Sequence, residues 1–349
     1  MKLSGCSATA SGVPSATTMP PRAWMRSTIV ASFSHGVVGR NAAPARQDGA
    51  MDIAITGSSG LIGRALTRSL EADGHRVVRV VRSGDAPDAV PWDPAAGTID
   101  QGALEGMDAV VHLAGEGIAS RPWTDAQRRR LVDSRRDGTR TLVTALAELD
   151  APPAVLVSAS AIGFYGDRGD EVLTESSASG HDFLADVCHQ WESATAPAGA
   201  AGIRVAHLRT GIVLDKDGGA LAKQLPAYRF GLGAQAGKGT QWMSWITLDD
   251  EVAAIRHVVD HATIEGPVNL TAPNPVTNAE FTEDLGRSLH KPTFLRIPGF
   301  LRHVPLGVGP LVESLLFSSA RVTPEVLLGS GFTFSHPELP SALEAVLSS

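Results

Sequence analysis

Three glycines, Gly57, Gly60 and Gly63, recur at a spacing of three in the run Met51-Asp-Ile-Ala-Ile-Thr-Gly-Ser-Ser-Gly-Leu-Ile-Gly63. Placed between a strand and a helix, such a turn can seat a diphosphate. Gly57 would let the chain turn tightly, Gly60 would let the backbone approach the phosphates, and Gly63 would let the helix pack close to the sheet. The free N–H groups and the positive end of the helix then face negative charge. The candidate contacts are Gly57, Ser58, Ser59, Gly60, Leu61, Ile62 and Gly63. A second candidate lies at Arg82-Ser83, after the run His75–Arg82. NAD-binding domains usually place an acid there for the adenosine ribose. Here there is a base, and Arg82 could hold a 2′-phosphate with Ser83 as a second donor. This predicts NADP(H); an ordinary surface arginine is the alternative.

Further groups follow where strands should end. Leu113-Ala114-Gly115 closes the apolar run 108–113, and small residues there let the backbone lie against a cofactor. Arg135 shares a helical stripe with Leu131 and needs a partner, either cofactor phosphate or ribose, or a nearby carboxylate. Ser158-Ala-Ser160-Ala-Ile-Gly-Phe-Tyr165 follows the run 154–158. There Ser158 is a cofactor candidate, Ser160 a hydrogen-bond partner for substrate, and Tyr165 a proton donor or acceptor. Turn capping and packing are the alternatives. Arg209 and Gly211 follow the run 203–208 and are further cofactor candidates.

These groups need a scaffold that brings strand ends together. Strands are predicted at 51–56, 75–82, 90–93, 108–113, 154–158, 203–208 and 267–270, alternating with amphipathic helices. That alternation gives an α/β fold, a doubly wound parallel sheet, whose ligands sit beyond the carboxyl ends of the strands. Thr124 with Gln127 resembles a capping box opening a long helix. Gly218 to Gly239 reads as a mobile loop and helix over the substrate. Its Lys223, Arg229 and Lys238 could hold an anionic substrate or could form a solvated face. Trp242 and Trp245 could wall a pocket or pack the core. From 276 onward short helices between prolines suggest a small C-terminal domain, with the apolar 304–317 as a dimer face or lid. The expected organisation is an NADP-binding domain over 51–275, with a substrate-covering insertion near 218–246, and a C-terminal domain over 276–349.

Composition bounds the rest. The chain has 349 residues, a formal net charge of -7 and 43% hydrophobic residues. The acidic balance argues against a nucleic-acid partner, and no apolar run reaches membrane-spanning length. Two cysteines, Cys6 and Cys188, fit a reducing compartment, so a cytoplasmic protein is expected, as a monomer or homodimer. No metal-binding pattern is present. Residues 1–50, with Asp48 as their one acid, suit a disordered extension, an upstream start or an organelle transit peptide, and Met51 directly begins the first strand.

The combination of Thr56-Gly-x-x-Gly-x-x-Gly63, Leu113-Ala-Gly-Glu116 and Ser158-Ala-Ser-Ala-Ile-Gly-Phe-Tyr-Gly166 resembles the extended short-chain dehydrogenase/reductases of the NAD-dependent epimerase type. Trp191-Glu192, Leu208-Arg-Thr-Gly-Ile-Val-Leu214, Gln241-Trp-Met-Ser-Trp-Ile246, Pro273-Asn-Pro275 and Arg321-Val-Thr-Pro-Glu325 narrow it to the atypical "epimerase family" proteins with their own C-terminal domain, over roughly 51–347. The resemblance implies a Rossmann-type fold and an NADP(H)-dependent oxidoreductase or epimerase-like enzyme. It would act on a hydroxyl or carbonyl carbon of a small substrate. One departure stands out. The superfamily's YxxxK pair, in which lysine and the nicotinamide ribose lower a tyrosine's pKa from about 10, is missing. If Glu192 is aligned with the glutamate common in that helix, Leu184 takes the tyrosine position and Cys188 the lysine position. A non-catalytic NADP(H)-binding sensor or interaction protein is therefore the alternative.

Overall fold

The computed structural model describes residues 49–82, 89–305 and 307–348. Ser83, Cys6 and all but the last two residues of the N-terminal extension lie outside them. Eight strands form the main sheet: β1 (Asp52–Thr56), β2 (Arg76–Val81), β3 (Val90–Asp93), β4 (Thr98–Ile99), β5 (Ala109–His112), β6 (Val155–Ala161), β7 (Arg204–Thr210) and β8 (Gly266–Leu270). Their order is β8-β7-β6-β5-β1-β2-β3-β4. All neighbours are parallel except β3 and β4. The chain runs outward from β1 to β4, then crosses back to lay β5 on the other side of β1. This reversal opens a crevice at the carboxyl ends of β1 and β5, the usual ligand position in doubly wound sheets.

Both faces of the sheet are covered, so the strands read as nearly continuous apolar runs. Ile53, Ile55, Val111, Val157 and Leu208 face one side, packing on α1 (Leu61–Ala72) and α4 (Leu248–Asp260) through Leu66, Leu70, Ile255 and Val258. Ala54, Val110 and Leu156 face the other, against Leu142, Val143 and Leu146 of α2 (Asp125–Ala147). The helix α3 (Phe183–Ser193) lies beside α2. Side chains alternate across a strand. The polar residues Thr56, His112, Ser158, Ser160, His207, Arg209 and Asn269 therefore all belong to the α2–α3 side.

β6 and β7 run two or three residues past the expected ends, to Ala161 and Thr210. Ser160 and Arg209 are thus strand residues, not loop residues. Polar side chains at a strand end read as the start of a loop, but here the two stand side by side in the sheet and share the carboxylate of Glu192. Thr124 does cap α2 by accepting from the Gln127 N–H at 3.3 Å. The Gln127 side chain, however, turns away to Glu116 and Ser120. The reciprocal box occurs instead between Thr277 and Glu280.

A third apolar cluster joins Leu221, Leu225 and Tyr228 with Trp245, Phe281, Leu285, Leu339 and Leu343. Trp245 is therefore core, while Trp242 is half-buried, its indole N–H donating to Asp170. Finally, the C-terminal segment returns to the sheet. Arg321–Val322 pairs with Val172–Leu173, Asn269 donates to the Thr323 carbonyl at 2.9 Å, and the Val326 N–H donates to Glu175 at 3.2 Å.

The glycine turn sets a steric test. A Cβ on Gly63 would lie 2.3 Å from the Gly57 carbonyl oxygen, a backbone atom that cannot move aside. Gly63→Ala should cost about 1–3 kcal/mol and lower the thermal midpoint by several degrees. Gly199→Ala, where a Cβ meets open space inside a helix, should be neutral or slightly stabilising. Thermal denaturation of the two variants checks both.

Candidate functional site

The crevice at β1 and β5 is built from close backbone contacts. Gly57 has φ +69°, and a Cβ there would come within 2.7 Å of the Leu113 carbonyl carbon and 2.8 Å of the Ala114 nitrogen. The turn after β1 and the end of β5 therefore touch. Gly60 caps α1 in extended conformation with no side-chain cap, so the first N–H groups of the helix have no side-chain acceptor. Gly60 and Ser59 are exposed, Ser58 is buried, and Leu61 and Ile62 are half-buried. Gly218 and Gly219 lie against Leu61, so the loop before the helix Gly219–Arg229 flanks the same turn. Lys223, Arg229 and Lys238 all face solvent. Arg82, beyond the end of β2, is exposed, and no carboxylate occupies the last positions of that strand.

Below the rim, the register aligns Thr56, His112, Ser158 and His207 as a transverse row. Thr56 Oγ1 meets His112 Nδ1 at 2.7 Å and accepts from the Ala114 N–H at 3.2 Å, while His112 Nε2 meets Thr139 Oγ1 of α2 at 3.0 Å. Burial pushes the His112 imidazole down to about 4, so it is neutral at physiological pH. Thr195 donates to the Glu192 carbonyl, leaving its oxygen to accept from His207 Nε2 at 2.8 Å. Ser158, expected at the cofactor, is fully buried in this row. Its hydroxyl has no partner among the described residues.

One row nearer the rim, Ser160, Arg209 and Asn269 are aligned. α3 brings Glu192 to them. Arg209 pairs with Glu192 in a fork, Nε to Oε1 and Nη2 to Oε2 both at 2.9 Å, and Ser160 donates to Glu192 Oε1 at 2.7 Å. The third guanidinium nitrogen donates to the Tyr165 hydroxyl at 3.0 Å and the Glu175 carbonyl at 3.2 Å. Tyr165 in turn donates to Asn269 Oδ1 at 2.6 Å. Tyr165 is completely buried, and burial raises its phenol pKa against the lowering effect of Arg209 and Asn269. Arg209, expected at the cofactor, has each guanidinium nitrogen committed to protein acceptors. The missing side chain of Gly211 is explained by the Ser244 carbonyl oxygen, 2.7 Å from where its Cβ would stand.

Leu184 and Cys188 of α3 do face the strand end. Leu184 Cβ would meet a Cβ on Gly163 at 3.3 Å, and Cys188 Sγ lies 3.8 Å from the same point. Neither supplies a phenol or an ammonium. Burial pushes the Cys188 thiol up to about 12, with Arg135 acting the other way. Arg135 itself is buried, stacked 4.7 Å from the Trp191 ring centre, and donates to the Leu131 carbonyl at 3.1 Å. Among the described residues it forms no ion pair. Sequence reasoning missed Asn269, Glu175, His112 and His207, and took Glu192 only as an alignment mark. Their signal was a polar residue at the inward position of an apolar strand, as in Val110-Val-His112 and Val268-Asn269, or at one turn's reach from it.

A parallel sheet that reverses at β1 and β5, with a glycine turn there and a polar row beyond, defines a Rossmann-type protein of the short-chain dehydrogenase/reductase kind. Residues 53–186 match the NAD dependent epimerase/dehydratase family and residues 298–346 match a domain of unknown function, DUF1731. The chain belongs to the epimerase family proteins, as its sequence motifs implied. It is 44% identical over 292 residues to epimerase family protein Mb2239 of Mycobacterium bovis, covering 83% of this chain and 96% of the relative. It is also similar to the crystal structure of human epimerase family protein SDR39U1 with NADPH, at 31% identity and a TM-score of 0.78, covering 85% of this chain and 99% of that one. A nucleoside-diphosphate sugar epimerase from Corynebacterium glutamicum is 39% identical with a TM-score of 0.71, covering 85% of this chain and 58% of that one. Among the described residues no helix is long and apolar enough to cross a membrane.

His112 gives the inner row a pH signature. Its ordinary pKa of 6.5 falls to about 4 in the fold. Below pH 6.5 the unfolded chain takes up a proton that the folded chain refuses. Its contribution is thus complete above pH 6.5 and declines as pH falls towards 4, by on the order of 3 kcal/mol. Denaturant unfolding between pH 4 and 8 should show a steeper acid loss for the wild type than for His112→Asn. Parallel curves would contradict the assignment.

Proposed function

We propose that this protein is an NADP(H)-dependent oxidoreductase or epimerase-like enzyme acting on a hydroxyl or carbonyl carbon of a small substrate. The observation that carries the reading is the cradle at the head of α1. Gly57 and Gly63 are required there sterically, the helix end has no side-chain cap, and anions are stabilised at such an end. The adjoining end of β2 presents Arg82 and no carboxylate, which suits a 2′-phosphate better than a bare ribose diol. The NADPH in the human relative's crystal structure supports the same choice. The residues present fit the dinucleotide, with Gly57 to Gly63 for the diphosphate, Leu113 to Gly115 along its length and Arg82 at the adenosine end. When bound, the nicotinamide would supply hydride exchange with the substrate carbon.

The chain's own contribution is orientation and a place for a proton. Ser160 stands nearest the rim, and Glu192 holds its proton. The serine oxygen is then free to accept from a substrate hydroxyl. Glu192 is fixed by Arg209, and Arg209 by Tyr165 and Asn269, so the geometry of Ser160 is set before substrate arrives. In this reading Ser160 is the catalytic contact, and Tyr165 and Arg209 are positioning residues. The rival is an NADP(H)-binding sensor or interaction protein. It is favoured by Leu184 and Cys188, which leave α3 with neither phenol nor ammonium. A cytoplasmic setting belongs to the same proposal, on the ground of the two cysteines.

Titration with NADPH and NADH, followed by nucleotide fluorescence, tests the cofactor. Arg82→Ala should weaken NADPH by about 10–100-fold, the worth of a charge-assisted phosphate contact, and leave NADH unchanged. Tighter binding of NADH by the wild type would overturn the 2′-phosphate assignment. Turnover is tested with a panel of aldehydes, ketones and nucleotide sugars. Ser160→Ala should lower it at least about 100-fold. Tight NADPH binding with no turnover across the panel would favour the sensor.

A further inference from the structure

Arg135 is a buried cation that forms no ion pair among the described residues, Glu116 acting on it only through space. It is 6% exposed. A guanidinium carries five N–H donors, yet its one hydrogen bond among the described residues is to the Leu131 carbonyl. Its aromatic neighbour, Trp191, covers a face of the guanidinium but accepts none of its N–H groups. Glu116, the nearby carboxylate, is engaged by Ser120 and Gln127. Cys188 cannot offset the charge either, because a buried thiol stays protonated. Burying a cation unpaired is costly, so the position makes sense only if the missing acceptors arrive with a ligand.

The location says which part of a ligand. A side chain at residue 115 would land 3.4 Å from the guanidinium carbon. Arg135 therefore lies directly beneath the loop that ends β5, the first strand beyond the crossover. Its other neighbour is Cys188, which lies against the end of β6 near Ser160. The guanidinium thus stands between the α1 cradle and Ser160. A dinucleotide with its diphosphate on the cradle and its reactive ring at Ser160 must pass it.

Resting on the NADP(H) reading above, we propose that Arg135 holds the nicotinamide-side phosphate and ribose of the cofactor, so that the neighbouring helix α2 supplies the cation that α3 lacks at Cys188. A cation reaching in from α2 can hold the ribose without a lysine on α3. It also explains how the site can keep its cofactor geometry although the pair on α3 is gone.

Three ligands separate this role from its alternatives: 2′,5′-ADP, which ends before the second phosphate; 2′-phospho-ADP-ribose, which includes the ribose; and NADPH. In the full-length chain, Arg135→Gln should weaken NADPH and 2′-phospho-ADP-ribose by about 10–100-fold and leave 2′,5′-ADP within about twofold. Arg135→Lys, which keeps the charge, should recover most of the loss. Equal weakening of all three ligands by Arg135→Gln, or no weakening of any, would overturn the proposal. A wild type that binds none of them would instead defeat the NADP(H) reading itself.

Discussion

The buried fork between Arg209 and Glu192 is the contact on which the carboxyl edge of the sheet depends. Two charges removed from water cost several kcal/mol each unless geometry and further hydrogen bonds return it. Here both conditions are met. Arg209 and Glu192 meet through two parallel hydrogen bonds of 2.9 Å, and the remaining donors and acceptors find Ser160, Tyr165 and Glu175. Burial opposes the charge on Arg209, but Glu192 and Tyr165 together hold its pKa above the ordinary value. Removing either partner would strand the other. The fork thus locks a strand, a helix and the short 3₁₀ turn carrying Tyr165 into one arrangement.

Around that fork the sheet presents its polarity in order. The head of α1 is an uncapped positive helix end beside an open backbone. The inner row is neutral, with His112 held uncharged by burial and clamped by two threonines. The outer row is charged but internally compensated. Arg135 breaks the pattern as a buried charge with no ion pair among the described residues. Groups that develop or carry charge are best served by dipoles fixed in advance, since these cost no reorganisation at the moment they are needed. The polar rows are fixed in this way by packing between α2, α3 and the strands.

Much of this was legible in the chain. The seven strands proposed from sequence are all present in the sheet, and the family follows from motifs that the comparisons bear out. The glycine turn was readable because Gly57 and Gly63 answer local steric demands. What was hidden depended on register and on distant segments. Tyr165 and Ser160 stand close together in sequence, which suggested two groups reaching out to substrate. In the fold, Tyr165 turns inward to Asn269, a residue 104 positions away. Arg209 looked like a loop cation because it follows an apolar run, yet it is a strand residue answering a carboxylate on α3. No local pattern specifies which helix will deliver that carboxylate. Conversely, β4 is too short to leave a periodic signal.

The return of the C-terminal segment to the sheet has a consequence for the order of events during synthesis. Asn269 and Glu175 find their last partners in Thr323 and Val326, and Ser244 is held between the Ala320 carbonyl and the Val322 N–H. The chain emerges from its N-terminal end during synthesis. The parallel sheet can therefore assemble while these acceptors and donors are still inside the ribosome. Until residue 326 is free, the loop bearing Glu175 has no strand to lie against, and the floor beneath Tyr165 is unfinished. A nascent chain would carry the glycine turn well before the polar row beside it could be completed, so the turn is the older part of every molecule made.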